Sequence, residues 1–149
     1  MKLASIHIIF LWAASVCAAQ SVTLTLSSAA IDPGIEAQLD VSLSAPSASP
    51  PAGIQWTLQV PPDIEVVDIQ GTKGIKEAGK TLFCNKNKCI IYGMNRKLIP
   101  NGAIAVVSIK VNQSAAGEHE IQIRDAVAAS VGGNRINVLP RAGRITISK

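Results

Sequence analysis

The sequence predicts an all-β domain built of two packed antiparallel sheets, and three observations carry that reading. The first is Gly53-Ile54-Gln55-Trp56-Thr57-Leu58-Gln59-Val60, where large apolar residues alternate without a break with polar ones. Such period-two alternation marks a strand with one face on a core and one in water. The second is composition: beyond the first residues Val, Ile, Thr, Ser and Ala are abundant, Gly and Pro are spread throughout, and there is almost no long stretch of strong helix formers. The third is spacing, since eight to ten short strand-like segments are separated by turn residues.

The chain has 149 residues and a formal net charge of +4. Its first residues read as an export signal: Lys2 supplies charge, Ile6 to Val16 is a short apolar run, and Val16-Cys17-Ala18-Ala19 offers small residues for cleavage. Residues 1–19 are therefore assigned to a signal peptide and 20–149 to one domain, secreted, periplasmic or at the cell surface. The apolar run falls short of the roughly 20 residues that a bilayer span needs. Ala14-Ser15-Val16-Cys17 loosely resembles a lipobox, which makes lipidation of Cys17 a lesser alternative. The basic excess is too small to argue for nucleic acid.

Ser21 to Ser27 alternates cleanly and forms the first strand, with Val22, Leu24 and Leu26 facing one way. Ile31-Asp32-Pro33-Gly34 is a turn, Ala37 to Leu43 the second strand, and the proline-rich Ala45 to Gly53 a loop. The central stretch follows, with Trp56 as core anchor. Ile64 to Ile69 changes phase at Val66-Val67, as at a bulge. Gly71 to Lys80 reads as a polar, mobile loop. Thr81 to Cys84 and Cys89 to Gly93 form a hairpin whose two apolar faces suggest a place inside the sheet. Ala103 to Val111 is nearly apolar on both sides and hence central. Glu118 to Arg124, Arg135 to Val138 and Ile145 to Ile147 complete the set; Ala126 to Ser130 is ambiguous, and Pro140 to Gly143 is a break.

Cys84 and Cys89 are the two cysteines left after cleavage, with four residues between them. In an exported chain this reads as a disulfide stapling the hairpin. A zinc site is the weaker alternative, since there is no second cysteine pair and His119 is the sole histidine beyond the signal segment. Catalysis finds little support, because Glu118, His119 and Glu120 alternate across a strand and cannot converge. Asp63, Glu65 and Asp68 read as a solvated strand edge rather than a calcium site, for want of an oxygen-rich loop. No cofactor is expected. Lys73, Lys76, Lys80, Lys86, Lys88, Arg96 and Lys97, opposed only by Glu77, form a basic stretch that, folded back by the hairpin, would make a positive rim drawing an acidic partner or an anionic polysaccharide, or would simply solubilise the surface.

The order of these signals resembles a cohesin domain. The residues that carry the resemblance are Ala37 to Leu43 after the Asp-Pro-Gly turn, Gly53 to Leu58, Ile64-Glu65-Val66-Val67, Cys89-Ile90-Ile91-Tyr92-Gly93, Ile99-Pro100-Asn101-Gly102-Ala103-Ile104-Ala105, and Gly143 to Ile147. It implies a jelly-roll sandwich of about nine strands, related to certain carbohydrate-binding modules. It further implies a non-catalytic module that binds a dockerin-like or other secreted protein through one sheet face, in polysaccharide breakdown. On that resemblance the face would offer Gln55, Thr57, Gln59, Tyr92, Glu120, Gln122 and Arg124. The alternatives are a carbohydrate-binding module on the same fold, with a polysaccharide ligand, and a structural envelope protein. Sugar stacking wants exposed aromatics, and with Trp56 in the core at most Tyr92 is expected to serve.

Overall fold

A computed structural model describes residues 21–148; the signal peptide and Cys17 assignments lie outside the described residues. The elements in chain order are β1 (Val22–Leu26), β2 (Ala29–Ile31), β3 (Glu36–Ser44), β4 (Gly53–Gln59), β5 (Ile64–Gly71), α1 (Lys73–Glu77), β6 (Thr81–Asn85), β7 (Lys88–Tyr92), β8 (Gly102–Val111), β9 (Gly117–Ala129), β10 (Arg135–Arg141) and β11 (Gly143–Ile147). The strands pair in the order β5-β8-β3-β1-β10-β9-β4-β7-β6, nine on one path, with β11 joined to β9 and β2. The path folds over on itself until its ends meet: an ideal Cβ at Gly71 on β5 would lie 3.4 Å from Leu82 Cβ on β6.

Alternation decides what lies between the layers. Val22, Leu24 and Leu26 from β1 and Leu39 and Val41 from β3 are buried from one side, together with Ala105, Val107 and Ile109 from β8, which stand in register with β3. Ile54, Trp56 and Leu58 from β4, Ile91 from β7, Ile121 and Ile123 from β9 and Ile145 and Ile147 from β11 meet them from the other side. Trp56 is 1 % exposed and is the largest of these fully buried side chains, as its place in the alternation requires.

Several expectations hold in register. β8 lies between β5 and β3, the interior position its apolar run predicts. The bulge on β5 falls between Val66 and Asp68. Cys84 and Cys89 stand directly opposite each other and are joined as a disulfide, with their Cα atoms 4.1 Å apart.

Other features differ from the expectation. Not every pairing is antiparallel: β1 runs parallel to β10, and β2 parallel to β11. Gly71 to Lys80 contains the one-turn helix α1, which buries Ile75, and Lys80 is itself 4 % exposed rather than part of a basic rim. β9 continues through the ambiguous stretch to Ala129 after a bulge opposite Trp56, where Asp125 takes a left-handed backbone (φ 52). β10 runs through Pro140 to Arg141. Finally, the stapled hairpin is only half interior: β7 lies between β4 and β6, but β6 is the last strand of the path. Its second apolar face is not covered by another layer; it is exposed.

Candidate functional site

The uncovered face belongs to β6, β7, β4 and β9. Register places its residues in rows, because side chains directly opposite each other on paired strands point the same way. Phe83 faces Ile90, Ile90 faces Gln55, and Gln55 faces Val127. The next row holds Asn85, Lys88, Thr57 and Arg124, and the one beyond it Gln59 and Gln122. Glu120 follows on β9 and faces Arg144 on β11. Tyr92 stands opposite Thr81 at the other end.

All seven residues that the cohesin resemblance implied therefore lie on one face. The structure brings Gln55, Thr57, Gln59, Gln122 and Arg124 into adjacent rows, and Arg124 Nε donates to Gln59 Oε1 at 2.9 Å across the β4–β9 pair. Tyr92 and Glu120 lie towards opposite ends. Two shallow depressions beside Glu120 and Gln122 are bordered by Gln59, Val60 and Arg124, and a third, of about 560 Å³, by Ser28, Arg144 and Thr146.

Of the apolar half of this face the sequence reading found only Tyr92 and missed Phe83 and Ile90. Phe83 is 59 % exposed, Tyr92 47 % and Ile90 38 %, and they are neighbours on two adjacent strands. Contiguous exposed apolar side chains on a flat sheet cost solubility, and are found where another molecule covers them. The signal was available: with Cys84 and Cys89 paired and directed inward, alternation sends Phe83 and Ile90 outward. Lys88 and Arg135 were also missed as parts of this surface. Both are exposed, Lys88 in the row of Thr57 and Arg135 opposite Ala129 at the apolar end.

The remaining candidates behave as structural groups. His119 Nε2 lies 3.0 Å from the Ala116 carbonyl oxygen and 4.0 Å from Asp63 Oδ2, tying the start of β9 to the turn before it. Asp68 accepts from the Ile69 amide and from Gln70. Among the described residues no three His, Cys, Asp or Glu side chains are grouped so as to hold a metal, and no helix is long and apolar enough to cross a membrane. Lys73 pairs with Glu77 at 3.4 Å on the exposed surface. The face is apolar at one end and hydrogen-bonding at the other.

The architecture is that of a jelly-roll sandwich. It is the fold of cohesin domains. A chain from the complex of the cohesin CaCohA2 with a variant of the dockerin CaDoc0917, CaCohA2 being from Clostridium acetobutylicum, superposes with a TM-score of 0.71 at 18 % identity, over 86 % of this chain and 100 % of that one. A non-cellulosomal cohesin from the hyperthermophilic archaeon Archaeoglobus fulgidus gives 0.70 at 17 % identity, over 87 % and 93 %. A chain from the Coh-OlpA–Doc918 complex, a type I cohesin–dockerin complex from Clostridium thermocellum, gives 0.71 at 11 % identity, over 86 % and 99 %. No family model and no curated protein matches the sequence.

Proposed function

We propose that this chain is an exported, non-catalytic module that docks a protein partner, dockerin-like in kind, on the β6-β7-β4-β9 face, in the setting of polysaccharide breakdown. The observation that carries the reading is the exposed cluster of Phe83, Ile90 and Tyr92 continuing into the polar rows of Thr57, Gln59 and Gln122. Large exposed apolar side chains next to hydrogen-bonding groups are the make-up of protein interfaces, in which a few large side chains supply most of the affinity. The likeness to cohesins solved with dockerins supports the same choice of partner.

Calorimetric titration against a panel of dockerin modules tests it. Binding should fall roughly 30-fold, equivalent to about 2 kcal/mol, when Phe83 and Ile90 are both changed to Ala. Replacing Gln55, Thr57 and Gln59 by Ala should weaken capture as well, and both variants should melt like the parent. The reading fails if no dockerin binds, or if a polysaccharide is retained in place of every protein tested.

A further inference from the structure

The apolar end of the face contains a hollow for which the polar rows do not account. β4 begins with Gly53, and its missing side chain leaves a depression of about 370 Å³ walled by Tyr92, Ile90, Gln55, Ala129 and Arg135. A Cβ at Gly53 would stand 3.4 Å from the Ile91 carbonyl oxygen, an ordinary contact, so any side chain there would occupy the hollow rather than be barred from it. Ala129 faces Gly53 and Arg135 faces Ala129, so a single small-residue row runs from the floor to the guanidinium.

The lining is mostly apolar, and Arg135 is its one charged group. Arg135 is exposed and takes part in no ion pair or side-chain hydrogen bond among the described residues. Lys88 stands one row from Ile90 with the same sign of charge, whereas Glu120 lies at the far end of the face opposite Arg144. An occupant of this end therefore meets a greasy socket beside positive charge. Complementarity selects an apolar group with a carboxylate next to it.

We propose that the docking partner seats one aliphatic side chain in the Gly53 hollow and sets a carboxylate of the same segment against Arg135. This rests on the docking reading and adds to it the chemistry of the partner's anchoring residues. Aliphatic Ile90 and Ala129 beside the ring of Tyr92 favour a leucine-like side chain over a sugar ring, which would want flat aromatic walls.

Tyr92 is the only tyrosine in the chain, so ring-labelled tyrosine places one NMR signal in the wall of the hollow. The probes are the short peptides Ac-Leu-Glu-NH2, Ac-Leu-Lys-NH2 and Ac-Gly-Glu-NH2. Ac-Leu-Glu-NH2 should shift that signal with a Kd on the order of 1 mM, and the other two should bind about tenfold more weakly. In Arg135→Glu the preference should invert towards Ac-Leu-Lys-NH2. In Ala129→Leu, which fills the socket, the shifts should vanish while the spectrum stays folded. Equal binding of the Glu and Lys peptides, or a Tyr92 signal that none of them moves, overturns the proposal. A stronger response to an oligogalacturonate than to Ac-Leu-Glu-NH2 overturns it in favour of an acidic glycan. A dockerin that binds while the hollow stays silent removes the anchor and leaves the docking face; the peptide pattern without dockerin binding supports the socket and removes only the dockerin.

Discussion

Changing Lys80 to Met should stabilise the fold, and the gain should depend on pH. Lys80 is 4 % exposed, its Nζ has no hydrogen-bond partner among the described residues, and its stem lies against Gly93, where a Cβ would come within 2.8 Å of Lys80 Cδ. Desolvation lowers the ammonium pKa below its ordinary value. A buried donor left unpaired costs about 1–3 kcal/mol, and Met keeps most of the length of the stem without the amine. For a domain of this size a gain of about 1 kcal/mol corresponds to a rise in Tm of roughly 3–5 °C. The sign with pH follows from linkage. Between the lowered folded pKa and the ordinary value of about 10.4, the unfolded chain holds more protons than the folded one, so the parent gains stability as pH rises through that window. The advantage of Lys80→Met should be greatest below the window and shrink towards pH ~10.5. Thermal melts of both proteins, followed by circular dichroism from neutral to alkaline pH, would measure it. A variant that melts no higher than the parent at neutral pH, or an advantage that grows with pH, would refute the reasoning.

The core and its staple give three further expected outcomes. Trp56→Ala should cost roughly 3–5 kcal/mol, read as a large drop in denaturant midpoint, because the side chain is buried from all sides. Replacing Cys84 and Cys89 by Ala should cost about 2 kcal/mol and speed amide exchange first in β6, the last strand of the path, which pairs only with β7. Gly143→Ala should destabilise by about 1–3 kcal/mol in the same melts, since its Cβ would sit 2.5 Å from the Ser27 carbonyl oxygen; an unchanged Tm would show that the backbone yields there freely.

Alternation made the inward face legible wherever a strand is wet on one side. Trp56 with Ile54 and Leu58, and β8 with its double apolar run, lie where the pattern puts them. The hairpin shows the limit of that reasoning: a strand apolar on both faces can be interior, or half of it can be a docking surface, and local pattern does not separate the two. Gly71 to Lys80 misled for a similar reason. Its composition is that of a solvated loop, yet Ile75 and the stem of Lys80 fold under one helical turn. The two parallel pairings escaped notice because β2 is only three residues long and because the partners of β1 and β2 lie at the far end of the sequence. The polar rows of the candidate face came from the cohesin resemblance, and the register of β4 with β7 and β9 unites them.

The parallel pairings also govern when the molecule can be completed. β1 is held on one side by β10 and β2 by β11, and Arg144 N donates to Ser28 Oγ across a separation of 116 residues. β1 can pair early with β3, but its second neighbour and the strand that β2 pairs with come only with nearly the last residues. Contacts this distant close slowly, on the millisecond-to-second scale of high-contact-order β proteins. A chain emerging from a ribosome would thus stay unsealed until β10 and β11 had followed.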